Sequence, residues 1–254
     1  MKALFIGDVV GRSGRNAVAA MLPVLAREHS WDLCIANGEN AAGGRGLTPA
    51  CAQELLAAGV DVITMGNHTW DNKEILAFID EASYLVRPAN YPAPVPGQGY
   101  TIVEKGGTRT AVINLSGQVF MEPALDCPFA KADTLLAQLG DCDYTIIDFH
   151  GEATAEKVGL ARYLDGRASA VVGTHTHIQT ADEQVLPRGT LYITDVGATG
   201  AICSVLGMEV DPVIKRLTTK IPQRFPAARG PARLCAVLLD FSAGRILRLA
   251  LDQD

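Results

Sequence analysis

Short apolar runs alternate with longer amphipathic stretches along the first third of the chain. Continuous apolar runs predict three buried strands, within "KALFIGD", "DLCIANGEN" and "VDVITMGNH". Apolar residues at helical spacing predict three helices, in "GRNAVAAMLPVLAREH", "TPACAQELLAAG" and "DNKEILAFIDEA". We expect Pro23 to bend or interrupt the first helix, and Thr48 and Pro49 to begin the second as N-cap and first residue. This strand, loop and helix order predicts α/β architecture with right-handed crossovers.

The middle of the chain changes character before the same rhythm resumes. "RPANYPAPVPGQGY" is rich in Pro and Gly and predicts an extended surface connection. "YTIVEKGGTRTAVINLSG" predicts a hairpin that turns at Gly106 and Gly107, and "ARLCAVLLDFSAGRILRLALD" predicts a second hairpin. Between them, alternating helices and strands are predicted in "FAKADTLLAQLG", "DYTIIDFHGE", "ATAEKVGLARYLDG" and "ASAVVGTHTH". A hairpin between two α/β halves predicts two sheets packed face to face with helices outside, in a single domain over residues 1–254.

Polar residues follow the predicted strands at the point where each strand ends. These residues are Asp8, Glu39, Asn40, Asn67, His68, His150, His175 and His177. Because the carboxyl ends of strands in an open α/β sheet converge on one edge, where ligands bind, we expect these side chains to meet there. The remaining histidine, His29, lies in a helical stretch.

The residue types at these strand ends indicate a metal site. Imidazole nitrogens and carboxylate oxygens suit divalent transition metals such as Fe, Mn, Zn or Co. Seven candidate ligands are too many for one tetrahedral zinc and indicate two cations. Two adjacent cations polarise a phosphoryl group and lower the pKa of a bridging water until it yields hydroxide at neutral pH.

The ordered motifs "GDVVG", "NGEN", "GNHTWD", "FHGE" and "GTHTH" resemble those of calcineurin-like metallophosphoesterases. More narrowly, they resemble the YmdB-like branch, which is similar to cyclic-nucleotide phosphodiesterases, and the likeness runs from residue 1 to about residue 200. The resemblance implies a four-layer α/β/β/α sandwich, in which helices flank two packed mixed sheets. It also implies a binuclear, metal-dependent phosphoric diester hydrolase whose substrates are small phosphodiesters, including cyclic nucleotides such as 2′,3′-cyclic AMP.

The same resemblance implies a role for each residue. Asp8, Asn40 and His177 would bind the first metal, and Glu39 would bridge both. The second metal would be held by Asn67, His150 and His175. A metal-bridging hydroxide would attack phosphorus, and His68, beside a ligand, would act as the general acid that protonates the leaving alkoxide.

Two departures from the wider superfamily bear on the metal. The usual first motif is Asp-x-His, whereas this chain has Asp8-Val9-Val10, and Glu39 stands where an Asp is usual. The YmdB-like branch shares both changes, and Asn40 is expected to replace the lost imidazole. We therefore expect two divalent or mixed-valence ions, with Fe or Mn favoured and Zn, Co or Mg as alternatives.

Each residue also has a structural interpretation. Asp8 alone would suit a turn or an N-cap, and His175 and His177 would suit buried, hydrogen-bonded structure. His68 would equally bond a carbonyl. Trp70 either stacks on a base or packs in the core, and Asp195 either orients an imidazole together with Thr176 or caps a turn. Arginines near these motifs either contact an anionic substrate or are solvated: Arg12, Arg15 and Arg45.

Composition narrows the cellular setting. The 254 residues carry a formal net charge of -6, which argues against broad attachment to nucleic acid or anionic lipid but leaves room for a local basic pocket. The six cysteines form no CxxC pair, which favours a reduced, cytoplasmic protein. No signal peptide or membrane span is predicted, and a homo-oligomer is compatible with the sequence.

Two other functional classes remain open at this level. A regulatory protein that binds RNA or a partner, with structural metals and little catalysis, would account for the altered first motif. A metallohydrolase that cleaves amide bonds would use a similar set of ligands. The main hypothesis is the phosphodiesterase, whose partner is a small phosphodiester or cyclic nucleotide.

Overall fold

A computed structural model describes residues 1–253, which form two β-sheets and five α-helices. The eight-stranded first sheet contains β1 (Lys2–Ile6), β2 (Asp8–Val9), β3 (Leu33–Asn37), β4 (Val62–Thr64), β5 (Leu85–Val86), β12 (Ala198–Ala201), β13 (Ala232–Asp240) and β14 (Arg245–Asp252). The six-stranded second sheet contains β6 (Tyr100–Lys105), β7 (Thr108–Ser116), β8 (Tyr144–His150), β9 (Ala170–Thr174), β10 (Gln184–Val185) and β11 (Leu191–Ile193). The helices are α1 (Gly11–Glu28), α2 (Pro49–Ala57), α3 (Pro128–Gln138), α4 (Thr154–Tyr163) and α5 (Val210–Thr219).

Both sheets are mixed. In the first sheet the strand order is β2-β12-β13-β1-β3-β4-β5, with β14 beside β13; β1, β3, β4 and β5 are parallel, and β13 runs antiparallel to β1. In the second, the order is β10-β11-β9-β8-β7-β6; the four central strands are parallel and both edge strands are antiparallel to them.

The alternation of side chains along the strands builds the layers. Leu4 and Ile6 of β1 pack in a core with apolar residues of α1 and α2, whereas Ala3 and Phe5 pack in a second core with residues of β8 and β9. A third core lies between the second sheet and α3 and α4. Because successive residues of a strand face opposite sides, each sheet is covered by helices on one face and by the other sheet on its second face. This arrangement confirms the predicted α/β/β/α sandwich.

Several predicted elements are confirmed in detail. Thr48 accepts a hydrogen bond from the backbone N–H of Cys51 at 3.2 Å, and Pro49 is the first residue of α2. The hairpin of β6 and β7 turns at Gly106 and Gly107, which both have positive φ as tight hairpin turns require. The C-terminal hairpin, β13 and β14, pairs over eight residues.

Three local predictions need correction. The first helix continues through the solvent-facing Pro23 without interruption. In "DNKEILAFIDEA" only a 3-10 helix forms, over Lys73–Ala77; the backbone leaves helical geometry at Phe78, whose φ is −141°, and Ile79 is buried in the core. The Pro-rich connection forms turns and bends rather than an extended segment, and residues 87–91 are buried rather than on the surface.

The hydrogen bonds of the Arg87 guanidinium explain why this part of the connection can be buried. Arg87 donates hydrogen bonds to the carbonyls of Pro88, Val95, Pro96 and Gly97, so its guanidinium holds the loop together from inside. Neither α5 nor the short strands β10 to β12 were predicted from the pattern. Across residues 1–253, no helix combines the length and the apolar character that crossing a bilayer demands.

Candidate metal centre

The eight predicted site residues come together, and they do so between the two sheets rather than at one edge of a single sheet. Asp8 begins β2, and the loops after β3 and β4 contribute Glu39, Asn40, Asn67 and His68. From the second sheet, His150 ends β8, and His175 and His177 follow β9. A continuous chain of contacts joins all of them.

Glu39 lies at the centre of this cluster. Its Oε1 is 3.1 Å from Nε2 of His150, and its Oε2 accepts a hydrogen bond of 2.9 Å from the backbone N–H of His68. Burial alone would raise the pKa of this carboxyl, but the charge and hydrogen bond of His150 lower it to about 2. Glu39 is therefore a buried carboxylate that stays ionised at neutral pH.

Close packing of backbone keeps Glu39 and His150 together. A Cβ at Gly66 would lie 2.3 Å from Oε2 of Glu39 and 2.4 Å from Nε2 of His150. Residue 66 must therefore be glycine for the first-sheet loop to approach the cluster. The adjacent Asn67 places its Oδ1 2.9 Å from the same imidazole nitrogen.

Asp8 supplies the clearest sign that a cation belongs here. The side chain is fully buried, and its Oδ2 accepts a bond of 3.2 Å from the backbone N–H of His175. Its Oδ1 has no hydrogen-bond partner within residues 1–253, although Nε2 of His177 lies at 3.8 Å and Nδ1 of His150 at 4.0 Å. A buried carboxylate oxygen without a donor is costly, and a cation between these groups would satisfy it.

Three imidazoles each have one nitrogen committed to an acceptor away from the centre. Nδ1 of His177 donates to the carbonyl of Leu206 at 3.0 Å, and Nε2 of His175 lies 3.1 Å from the carboxylate of Glu152. Nδ1 of His150 lies 2.9 Å from the hydroxyl of Thr174.

That hydroxyl donates in turn to Asp148 at 2.7 Å, so it must accept from His150. In all three residues the other nitrogen faces the cluster. Nε2 of His150 meets Nδ1 of His175 at 3.0 Å, and Nε2 of His177 meets the amide of Asn40 at 3.2 Å. Fixing one nitrogen selects the tautomer whose lone pair lies on the other, which is how metal-binding histidines are oriented.

The field inside the cluster is strongly negative. Burial would lower the pKa of His150, but Glu39 first and Asp8 after it raise the value to about 9. His175 behaves differently, because burial and the charge on His150 lower its pKa to about 3. Burial raises the pKa of Asp8. In the absence of a cation, a proton on His150 therefore balances part of the charge of Glu39.

The donor set fits a pair of divalent cations. Glu39, His150 and His175 each place one ligand atom within 4.8 Å of the others. Asp8 adds an unpaired oxygen beside His177, and Asn40, which lies next to Glu39, presents its oxygen when its amide rotates by half a turn. Oxygen and imidazole donors without sulfur suit divalent transition metals.

His68 stands beside the cluster in a different role. Its Nδ1 is 2.9 Å from Oδ2 of Asp71, which makes the other nitrogen available for proton transfer. The same carboxylate oxygen lies 3.7 Å from the guanidinium of Arg45. Trp70, between His68 and Asp71 in the sequence, packs edge to face on Tyr91 with ring centroids 5.8 Å apart, which favours its structural interpretation.

The loop that carries two of the histidines is held under strain. His175 and His177 have φ values of 98° and 64°, a region that disfavours residues with a side chain. Between them, Thr176 bonds the carboxylate of Asp195 through its backbone N–H at 3.0 Å and its hydroxyl at 2.7 Å. Lys157 of α4, only 1% exposed, donates to the same carboxylate at 2.7 Å.

Thr176 and Asp195 could be suggested from the sequence as orienting residues, but Lys157 could not. The network behind His150 was also missed. Oδ2 of Asp148 accepts from Thr64 at 2.5 Å and from Asn37 at 3.1 Å, so this carboxylate joins the two sheets. The one signal in the sequence is the presence of single polar residues inside otherwise apolar strands: Asn37, Thr64, Asp148 and Thr174.

The cluster opens into a cleft of about 310 Å³. We call it the catalytic cleft; its lining includes Glu39, Asn40, His68, Glu152, His175 and His177, together with Gly44, Arg45, Thr176, Leu206 and Met208. The predicted metal ligands line it together with the apolar side chains of Leu206 and Met208. A volume of this size suits a small ligand with one polar and one apolar end.

Comparison with known proteins agrees with this geometry. The family model described as "YmdB-like protein" matches residues 4–250. A Bacillus subtilis (strain 168) protein named 2′,3′-cyclic-nucleotide 2′-phosphodiesterase is 51% identical over 260 residues, with 100% of this chain and 98% of that protein covered.

Two solved structures are also similar. A hypothetical protein from Thermus thermophilus superposes with a TM-score of 0.95 at 46% identity, covering all of both chains. A structure described as a novel phosphatase of Mycoplasma pneumoniae has a TM-score of 0.93 at 34% identity and covers 100% of this chain and 94% of the other. With the family model matching nearly the whole chain, this protein belongs to the YmdB-like family within the metallophosphoesterase superfamily.

Proposed function

We propose that this protein is a binuclear metal-dependent phosphodiesterase that hydrolyses 2′,3′-cyclic nucleotides. One observation carries the proposal: three imidazoles, each tied to an acceptor through one nitrogen, surround the unpaired Oδ1 of Asp8 and the ionised Glu39. The name of the Bacillus subtilis relative supports the substrate, since that protein is described as a 2′,3′-cyclic-nucleotide 2′-phosphodiesterase.

The residues divide into two metal sites that share Glu39. Asp8, Asn40 and His177 would hold one ion, and Asn67, His150 and His175 the other, in keeping with the contacts that group them. Fe or Mn suits this mixture of oxygen and nitrogen donors, with a mixed-valence pair as one form. When bound, the ions supply Lewis-acid polarisation of the phosphoryl group and activation of water.

His68 supplies the proton that the leaving oxygen needs. Hydrolysis of a 2′,3′-cyclic phosphate adds water and breaks one ester P–O bond, so the released ribose oxygen must be protonated. His68 lines the catalytic cleft and is oriented by Asp71 through Nδ1. Its Nε2 is therefore the nitrogen that donates the proton.

The cleft accounts for the size of the substrate. The phosphate would lie over the floor of metal-binding residues, and Leu206 and Met208 would contact the apolar faces of the nucleoside. Glu152 and Arg45 also line the cleft, and their side chains are 48% and 65% exposed. This leaves the ribose and base partly open to solvent.

The test is hydrolysis by protein reconstituted with Mn²⁺ or Fe²⁺, using 2′,3′-cyclic AMP and bis-p-nitrophenyl phosphate. We expect His68→Ala to keep its metal and lose about 10²–10⁴-fold in kcat. Glu39→Ala should lose metal as well as activity. His29→Ala, at the C-terminal end of α1 and outside the cluster, is the matched control and should behave as wild type.

Absence of diester hydrolysis above the Glu39→Ala background would contradict the proposal. Cleavage of an amide panel without cleavage of diesters would favour an amide hydrolase instead. If chelation lowered the melting temperature without any measurable hydrolysis by the reconstituted protein, the metals would be structural and the regulatory interpretation would replace this one.

A further inference from the structure

A second groove, of about 590 Å³, lies beside the catalytic cleft and is lined by arginines. We call it the arginine groove and define it by Arg12, Gly43, Glu209, Arg224, Phe225 and Arg229. Arg12 comes from the first turn of α1, and the last three residues come from the irregular segment between α5 and β13. From the sequence alone, Arg12 could be either a solvated surface residue or one that contacts an anion.

The charge in this groove is unbalanced. None of its three arginines forms an ion pair or a side-chain hydrogen bond within residues 1–253, and Glu209 is the one acidic residue in its lining. Elsewhere, surface arginines such as Arg109, Arg167 and Arg233 pair with carboxylates. In a chain of net charge -6, a groove with excess positive charge is a local site for an anion.

Backbone hydrogen bonds fix the segment that carries these residues. The backbone N–H of Glu209 donates to the carbonyl of Pro226 at 2.9 Å, and the N–H of Ala228 donates to Gly207 at 2.8 Å. The hydroxyl of Ser13 in α1 donates to the carbonyl of Ala228 at 3.2 Å. The groove is thus a formed feature of the fold, not a loose loop on its surface.

The arginine groove and the catalytic cleft lie next to each other. Gly43 lines the groove and Gly44, the next residue, lines the cleft, so their Cα atoms are about 3.8 Å apart. A Cβ at Gly44 would lie 2.9 Å from Cε of Met208 and 3.5 Å from Cβ of Ala227. The groove and the cleft are therefore adjacent at Gly43 and Gly44.

We propose that the arginine groove binds the phosphodiester on the 5′ side of the nucleotide being hydrolysed, so that the substrate is the 2′,3′-cyclic phosphate end of an RNA strand. This rests on the proposed function, because the cyclic phosphate must lie at the metal centre. A free cyclic mononucleotide has no 5′-phosphate and leaves the groove unused. An RNA end extends one phosphate beyond its terminal ribose, and guanidinium groups bind phosphate through paired N–H donors.

Phe225 fits the same substrate. Its side chain is 37% exposed between Arg224 and Pro226, in a groove whose lining also includes Ala227 and Ala228. Proteins that bind single-stranded nucleic acids combine exposed aromatic rings with arginines. The arginines contact the phosphates, and the bases stack on the rings.

The experiment compares three substrates with the metal-loaded protein: 2′,3′-cyclic AMP, the same compound with a 5′-phosphate, and a short oligoribonucleotide ending in 2′,3′-cyclic phosphate. We expect kcat/KM to rise in that order. Arg224→Ala with Arg229→Ala should lower kcat/KM for the oligonucleotide by about tenfold or more and change that for cyclic AMP by less than about twofold. The salt slope of log kcat/KM for the oligonucleotide should fall by about one.

The matched control replaces Arg27 and Arg245 with alanine, which changes net charge equally. Arg27 lies at the far end of α1, about 22 Å from Arg12 at 1.5 Å per residue, and Arg245 begins β14. Equal kcat/KM for all three wild-type substrates, or equal losses in both double variants, would overturn the proposal while the proposed function stood.

Binding separates the two proposals further. In His68→Ala, fluorescence anisotropy of the labelled oligonucleotide should show weaker binding when Arg224 and Arg229 are also replaced. If the wild-type protein hydrolysed no substrate but this difference in binding persisted, the proposed phosphodiesterase function would be wrong and the groove would still be an RNA site. If the difference were absent, the groove would have no part in binding RNA.

Discussion

The two sheets hold their halves of the metal centre by different means. In the second sheet, hydrogen bonds orient the imidazoles: His150 bonds Thr174, which bonds Asp148, and His177 donates to the carbonyl of Leu206. Asp195 holds Thr176, the residue between His175 and His177. In the first sheet, Glu39 and Asn67 are fixed by tight backbone, with Gly66 between the two groups. The first half should therefore be sensitive to added volume, and the second to a lost charge or hydrogen bond.

The largest expected effect is on the second-sheet half. Lys157→Met removes a buried ammonium and leaves the Asp195 carboxylate buried without its partner, which should lower the free energy of unfolding by about 3–5 kcal/mol. Metal affinity should fall too. Without Lys157, the Asp195 carboxylate that holds Thr176 between His175 and His177 is no longer fixed in place. Chemical denaturation and metal titration measure the two changes.

Arg233→Met provides the control for this variant. Its partner is Asp252, both side chains are 50% exposed, and the loss should be about 0–1 kcal/mol. Equal destabilisation by the two variants would show that the buried pair has no special importance.

In the first-sheet half, an added side chain should disrupt the site. Gly66→Ala places a methyl group against Glu39 and His150 and should lower kcat/KM by about 10²-fold or more, together with metal content. Gly151→Ala, next to His150, is the control, since a Cβ there has no neighbour closer than 3.6 Å. Wild-type activity in Gly66→Ala would mean that the loop has more freedom than the packing indicates.

A smaller effect is expected at Asp71, which touches neither half of the centre. Asp71→Asn keeps the shape but weakens the orientation of His68, and kcat should fall by about 10–100-fold with metal content unchanged. Steady-state kinetics and metal analysis of the same preparation test this. A loss of metal would place Asp71 among the residues that build the metal centre.

The last expected effect is a change of metal affinity with pH, caused by a proton on His150. Because the pKa of His150 is raised to about 9 in the metal-free protein, the imidazole holds a proton at pH 7 that metal binding must release. The apparent metal Kd should weaken by about tenfold for each pH unit below about 9 and level off above it. Calorimetry in two buffers of different ionisation enthalpy counts the released proton, and a pH-independent Kd would contradict the assignment.

Much of this arrangement could be predicted from the sequence. Apolar runs that end in Asp8, Glu39, Asn67, His150 and His175 identify strands and site residues together, because a strand's end is where its last side chains reach a ligand. The pattern does not say which sheet each strand joins. Hence the expectation of one sheet edge was wrong, although the residues do meet.

What the sequence could not predict depends on contacts between distant segments. Lys157 lies in a helix where a lysine is ordinarily solvated, and only packing against Asp195 explains its burial. Arg12 and Arg224 are separated by more than two hundred residues, so their shared groove is invisible in any local pattern. Cytoplasmic location, homo-oligomerisation and the extent of the single domain remain predictions.

The central claim is that side chains from both sheets hold two cations around one shared carboxylate. Metal analysis of protein isolated without added cations, compared with Glu39→Ala prepared in the same way, tests it most directly. We predict close to two equivalents per wild-type chain and a loss of both in the variant, since the bridge serves both ions. A single equivalent that survives in Glu39→Ala, or no metal in the wild type after reconstitution with Fe, Mn or Zn, would contradict the account.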